Sequence, residues 1–113
     1  MITLYDYELS GNCYKVRLLL NILGLEYKSE PVEFYPRREH KSDAFLRINP
    51  LGQLPALTDE DIVMRDAQAI LVYLAARYDA SKRWYPEQNP RLSGEIQMWL
   101  AFAGGLTGSI SAA

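Results

Sequence analysis

The chain predicts a mixed α/β fold of order β-α-β-α-β-β-α that gives way to helix alone. Three observations carry this expectation. Short runs rich in β-branched and aromatic residues alternate with stretches of helical period; a proline stands at the head of the apolar run Pro55-Ala56-Leu57; and a polar, turn-rich segment after residue 78 is followed only by a helical pattern. A single mixed sheet with helices on both faces satisfies that order.

Residues 2–7 read as a first strand, and residues 12–23 as a helix with Val16, Leu19, Leu20 and Leu23 on one stripe, stopped by Gly24. Residues 27–34 read as a second strand, in which Pro31 cannot donate to a ladder and so argues for a sheet edge. Residues 35–42 are polar and basic, a loop, and residues 43–48 a short helix. Residues 55–58 and 62–64 flank Asp59-Glu60-Asp61 and make a hairpin. Asp66 caps a helix that runs to about residue 78, with Ile70, Leu71, Tyr73, Leu74 and Arg77 at helical spacing. Asn89-Pro90 then supplies an N-cap and a first-turn proline for a further helix through Trp99 and Phe102, which reaches a stretch weakened by Gly104, Gly105 and Gly108. Ile96, Trp99, Leu100 and Phe102 find no partner helix in this sequence. Residues 1–79 are therefore expected to form one α/β domain, residues 80–89 a linker, and residues 90–113 the first helix of a truncated or incomplete helical domain.

Composition narrows the function classes. The chain of 113 residues is 49% hydrophobic with a formal charge of −2, which argues against disorder and gives no reason to expect nucleic acid as a partner. No apolar run approaches a membrane span, and the first residues lack the basic start and apolar stretch of a signal peptide, so a cytoplasmic protein is expected. The single cysteine, Cys13, cannot form an intrachain disulfide, and one histidine with one cysteine does not make a metal ligand set.

Two stretches carry chemistry. In Asn49-Pro50-Leu51-Gly52-Gln53-Leu54-Pro55 the final proline suits a cis peptide bond at a strand head, which leaves the backbone N–H and C=O of Leu54 in a cleft, able to pair with an extended peptide. In Leu9-Ser10-Gly11-Asn12-Cys13 a helix begins, and its unsatisfied N–H groups and macrodipole favour an anion such as a thiolate. Ser10 and Asn12 could donate to that sulfur or merely cap the helix. His40 and Lys41 could bind a ligand or form a solvated basic loop, and Gln53 could be an ordinary turn residue. Ser10-Gly11-Asn12-Cys13 has the spacing of a C-x-x-C redox pair without its attacking thiol, so Cys13 reads as a small buried filler rather than a nucleophile.

Several separated elements stand in register with one family: Ser10 with Lys15-Val16-Arg17, His40-Lys41, Asn49-Pro50, Gln53-Leu54-Pro55, and Asp66 before Ala69-Ile70. On these the chain resembles the glutathione transferases from first strand to last residue. The resemblance implies a thioredoxin-like amino-terminal domain, glutathione as co-substrate, no metal, a homodimer, and detoxifying transfer of glutathione to a small hydrophobic alkyl or aryl electrophile. It further implies that Ser10 holds the glutathione sulfur and that His40 and Lys41 approach the glycine carboxylate. Leu54, ahead of cis Pro55, would pair with the cysteinyl unit, and Gln53 and Asp66 would face the glycine and γ-glutamyl ends. One departure stands out: the family's usual serine after the acidic residue is Ala67, so the backbone N–H there survives while a hydroxyl donor to the γ-glutamyl carboxylate is lost. The Ser10-x-Asn12-x-x-Lys15 segment is also similar to that of a bacterial disulfide-reducing class, and a zeta-type isomerase is a further enzyme reading. Transferase-like domains without catalysis offer a reading of another class, a binding module.

Overall fold

The computed structural model describes residues 1–112, with side chains through Thr107. Its elements are β1 (Ile2–Asp6), α1 (Gly11–Ile22), β2 (Tyr27–Pro31), a 3-10 turn (Glu39–Lys41), α2 (Asp43–Leu46), β3 (Ala56–Asp59), β4 (Ile62–Arg65), α3 (Ala67–Tyr78) and α4 (Pro90–Ala112). Ala113, the last residue of the expected helical region, lies outside the described residues. The chain divides into two compact units, Met1–Leu71 and the remainder from Val72, the division falling within α3.

The first unit holds a four-stranded sheet of order β2-β1-β3-β4. β1 and β2 run parallel, and β3 is antiparallel to both β1 and β4, the mixed sheet that the sequence predicts. Pairing of Leu4 with Leu57 and of Tyr5 with Ala56 places the two pairs on opposite faces, because successive strand residues alternate. On the Leu4 face, Arg17 of α1 forms an ion pair with Asp6. On the Tyr5 face, Phe45 of α2 lies 5.9 Å from the tyrosine ring and shares a cluster with Val32 and Ala56. Helices thus cover both faces. Leu4, Leu20, Leu57, Ile70 and Val16 are fully buried, and so is Cys13, in the role of filler expected for it.

Local chemistry explains the element ends. Ser10 caps α1, its Oγ accepting from the Cys13 N–H at 3.2 Å, and Gly24 follows the helix at a φ of 67° that favours glycine. β2 is an edge strand as Pro31 suggests, but it stops at that proline rather than at residue 34, since β1 ends opposite it at Asp6. The Val32 N–H, donating to Asp6 O at 2.8 Å, continues the pairing by one bond. The expected 35–42 loop contains the 3-10 turn, and α2 is two residues shorter than expected because the Ile48 and Asn49 N–H groups both turn back to Phe45 O. Leu54-Pro55 is cis, as its position suggests, and so is Tyr35-Pro36, which no sequence cue singled out.

The Asn49 side chain is 1% exposed and spans the loop before β3. Its Nδ2 donates to Gln53 O at 2.8 Å and its Oδ1 accepts from Leu51 N–H at 3.1 Å. Between them Gly52 has a φ of 62°, and a Cβ there would lie 2.9 Å from the His40 carbonyl oxygen and 2.9 Å from Lys41 Nζ. Only glycine fits both the backbone and the approach.

In the second unit, the segment 79–84 is a built turn. Buried Asp79 accepts from the Ser81 hydroxyl, from Ser81 N–H at 3.1 Å and from Trp84 N–H at 2.9 Å, bonds that hold its carboxyl below the usual range. Asn89 caps α4 through Leu92 N–H at 3.2 Å, and α4 continues through all three glycines of the 104–108 stretch. Trp99 and Phe102 are exposed and meet edge to face, whereas Ile96 and Leu100 are half-buried.

Replacing Asn49 by alanine removes two part-buried hydrogen bonds, each contributing about 0.5–1.5 kcal/mol, so Asn49→Ala should lower unfolding stability by about 1–3 kcal/mol. Urea denaturation of the two proteins measures this; a loss under about 0.5 kcal/mol would mean that water replaces the amide.

Candidate functional site

The topology gathers the predicted residues at one end of the sheet. β1 ends at Asp6 and leads into the Ser10 loop, β3 begins at Ala56 just after Leu54-Pro55, and β4 ends at Arg65 just before Asp66 and Ala67. Because Ala56 pairs with both Tyr5 and Arg65, these three strand ends are neighbours. His40 and Lys41 join them through the close approach of Gly52, and Lys41 Nζ donates to Leu51 O at 3.4 Å.

Two residues outside the predicted site hold its Ser10 side in place. The Arg17 guanidinium pairs with Asp6 and donates to Glu8 O at 3.4 Å, so α1 is fastened to the loop that precedes it. Ser10 N–H donates to Tyr7 O at 3.0 Å, closing a turn. Sequence reasoning included Arg17 in a motif without a role. The cue was available in its spacing of eleven from Asp6 across a strand-to-helix loop, but only the fold makes them partners.

α1 has no acidic residue in its own first turn to offset the positive end of its dipole, although Asp6, paired with Arg17, lies close enough to act on Cys13. Ser10 Oγ accepts from Cys13 N–H, and its hydroxyl proton lies within reach of the Cys13 sulfur. Asn12 is half-buried in the first turn beside it. Burial pushes the Cys13 thiol up, and this outweighs the Ser10 hydroxyl, which pulls it down. The thiol is therefore protonated at neutral pH, and a nucleophilic Cys13 is disfavoured on physical grounds.

At the other strand ends, Asp66 has a φ of 76°, and its Oδ2 accepts from Ala69 N–H at 3.1 Å, so it caps α3 as expected. Ala67 is 3% exposed at the first position of that helix. The neighbouring Gln68 keeps a buried Oε1 with no partner among the described residues. Gln53 is exposed, its carbonyl engaged by Asn49 while its side chain faces solvent. His40 is half-buried and its ring stacks on Phe34 at 4.0 Å. Burial lowers its pKa, with Lys41 and Arg38 adding to the effect, so the imidazole is neutral at neutral pH. A carboxylate placed beside it would favour the protonated ring. A separate cleft of about 190 Å³ between the β2 edge and α2, lined by Tyr5, Val32, Phe45 and Ile48 among others, contains none of the predicted residues. No described helix is long and apolar enough to cross a membrane.

Comparison with known proteins bears on the family and the fold. The family profile for the glutathione S-transferase N-terminal domain matches residues 4–91. Glutathione S-transferase 1 of Dianthus caryophyllus is 36% identical over 94 residues, which is 83% of this chain and 38% of that protein. A zeta-class glutathione S-transferase of Euphorbia esula is 42% identical over 77 residues, covering 68% of this chain and 34% of the relative. The chain therefore spans between a third and two fifths of the length of these curated relatives. Among solved structures, human glutathione transferase theta-2 in complex with glutathione is similar with a TM-score of 0.84 and 28% identity, over 93% of this chain and 42% of that one. A homologue from Lodderomyces elongisporus, with two glutathione molecules per subunit, has a TM-score of 0.86 and 29% identity, over 98% of this chain and 53% of its own.

A buried, protonated thiol should resist a water-soluble thiol reagent at pH 7. In the folded chain Cys13 should react at least about tenfold more slowly than after unfolding in urea, a rate difference read by absorbance with an aromatic disulfide. Equal rates in both states would restore Cys13 as a candidate nucleophile.

Proposed function

The chain belongs to the glutathione S-transferase family, and from that membership we propose that it binds glutathione and stabilises the thiolate for attack on an electrophile. The observation that carries this reading is Ser10: an N-cap hydroxyl whose oxygen accepts from Cys13 N–H and whose proton, within reach of the protonated Cys13 thiol, would turn to an incoming thiolate as the stronger acceptor, at a helix end with no acidic residue in its first turn. A thiol of reference pKa ~8.5 must fall by about two units, or about 3 kcal/mol, to be mostly ionised at neutral pH. A hydrogen bond to a charged group contributes about 1.5–3 kcal/mol and a helix terminus about 0.3–2 kcal/mol. Together they span about 1.8–5 kcal/mol, a range that includes the required value of about 3 kcal/mol.

The remaining assignments follow the ends of the sheet. The Leu54 N–H and C=O would pair with the cysteinyl unit in the manner of an added strand. The first N–H groups of α3, at Ala67 and Gln68, would face the γ-glutamyl carboxylate, with Asp66 near the γ-glutamyl amine. His40 and Lys41 would meet the glycine carboxylate, beside Gln53, and Asn12 would add an amide donor at the sulfur. Binding a carboxylate at His40 would draw a proton onto the ring, so the His40 share of the affinity should grow as pH falls through the ordinary histidine range. The thiolate's share runs against it, growing as pH rises toward the free thiol's range. A small hydrophobic electrophile, a homodimer and a role in detoxification belong to the same proposal. The non-catalytic reading keeps one specific support, Ala67, which supplies no hydroxyl to the γ-glutamyl end.

If Ser10 donates to the thiolate, Ser10→Ala should raise the pKa of bound glutathione by about one to two units, the equivalent of one charge-assisted hydrogen bond. Ultraviolet thiolate absorbance across pH 5–10 reads it. An unchanged titration would leave the serine as a helix cap and nothing more.

Ala67→Ser should tighten glutathione by about 1 kcal/mol, several-fold in Kd, because the new hydrogen bond exchanges with one to water. The thiol pKa should not move. Calorimetric titration separates the outcomes: unchanged affinity means that another group such as Arg65 or Gln68 already serves the carboxylate, and absence of binding in both proteins favours the binding module.

A further inference from the structure

Phe34 stands at the middle of a run of aromatic rings to which no role has been given above. Its ring is stacked with Tyr7 at 4.7 Å between centroids and 10° between planes, and with the His40 imidazole at 4.0 Å and 27°. Tyr7 lies in the loop after β1, where its carbonyl accepts from Ser10 N–H at 3.0 Å. His40 lies in the 3-10 turn packed against Gly52. The rings thus run from the Ser10 loop to the loop that leads into β3.

The chain around Phe34 is built to return His40 onto it. Glu39 N–H donates to Glu33 O at 2.7 Å, Arg38 N–H to Phe34 O at 3.1 Å, and Glu33 N–H to Glu39 Oε1 at 2.8 Å. An imidazole is ordinarily oriented by a hydrogen bond at one of its two nitrogens. Here, among the described residues, Nδ1 is buried without a partner in good hydrogen-bond geometry, and the Glu33 backbone is the one backbone group that acts on the ring. The flat face of Phe34, stacked at 4.0 Å, is the side-chain surface against which the ring is set.

We infer that Phe34 is a positioning residue that aims the His40 imidazole at the glycine carboxylate of glutathione. The inference rests on the glutathione-binding function proposed above. Phe34 touches no part of the ligand on this account; it fixes the plane of a ring that does. Removing it frees the imidazole to rotate, so the loss falls on ligands that carry the glycine carboxylate and spares those that lack it. Tyrosine, which keeps a flat ring, restores the effect.

The experiment uses the full chain with Phe34→Leu, Phe34→Met, Phe34→Tyr and His40→Gln, titrated by calorimetry with glutathione and with γ-glutamylcysteine, which has the sulfur and γ-glutamyl end but no glycine. Phe34→Leu or Phe34→Met, whichever is folded by circular dichroism, should weaken glutathione about three- to tenfold and γ-glutamylcysteine less than about twofold. Phe34→Tyr should match the unsubstituted chain. In a His40→Gln background the Phe34 substitution should add almost nothing, the coupling expected when one residue acts through another. Equal weakening of both ligands, or none, overturns the inference. His40 is the only histidine in the sequence, so its proton resonances identify themselves in an NMR spectrum recorded without ligand. They should lie upfield from the Phe34 ring current and move downfield in the leucine or methionine variant. If the unsubstituted chain binds neither ligand, the proposed function fails. The NMR result then decides the positioning claim alone: an imidazole signal that stays in place when Phe34 is replaced overturns it.

Discussion

The clamp made by the buried Asn49 amide is the interaction on which the candidate-site end of the sheet depends. Its two hydrogen bonds fix the turn of residues 49–53, and that turn presses Gly52 against the backbone of His40 while delivering Leu54 and Pro55 to the start of β3. A buried amide satisfied on both sides is rigid because every alternative leaves a donor or acceptor unpaired in a medium without water. The clamp also makes Gly52 obligatory. Any Cβ at that position meets a carbonyl oxygen at 2.9 Å, closer than real side chains come, and the positive φ adds strain of its own.

A second fastening works on the Ser10 side by different physics. Arg17 and Asp6 form a partly buried ion pair, with side-chain exposures of 23% and 11%. Such a pair contributes less to net stability than its Coulomb energy suggests, since both charges lose hydration, but breaking it leaves one charge stranded. Its effect is therefore on geometry more than on stability. It ties α1 to the end of β1, so the turn between them, with Ser10 at its close, has few conformations left. The two fastenings sit on opposite sides of the sheet end, and the rings of Tyr7, Phe34 and His40 lie between the segments they hold.

Features written in local chemistry were legible in the sequence, and those written in contacts were not. Ser10, Gly24, Asp66 and Asn89 mark helix ends because capping needs a particular residue within three positions, and each stands where the structure uses it. Pro31 marks an edge for the same kind of reason: a missing N–H is a property of one residue. The end of β2 was not legible, because it is set by where β1 stops. The run of α4 through Gly104, Gly105 and Gly108 was equally hidden, since glycine costs a helix about 1 kcal/mol per residue without forbidding it. Asn49 and Arg17 were visible as motif members, yet their partners, Gln53 O with Leu51 N–H and Asp6, are fixed by the fold. The stacking of His40 on Phe34 depends on a turn closed by Glu33 and Glu39, which reads in sequence as no more than a charged loop.

The Ser10 turn also shows why one helix end treats two thiols differently. Cys13 lies three residues along the same helix start, and Ser10 lowers its pKa, yet the thiol remains above its ordinary range because it is wholly buried and desolvation outweighs that hydrogen bond. A sulfur arriving from solvent at the half-buried Ser10 hydroxyl would feel the same donor and the same helix terminus without losing all its hydration. The balance then reverses: the favourable terms stay and the largest opposing one shrinks. On the proposed function, nucleophilic chemistry here would belong to a thiol brought in by the ligand while the resident cysteine serves the core, which would be the physical difference between a glutathione-using site and a C-x-x-C redox site built on a similar helix start.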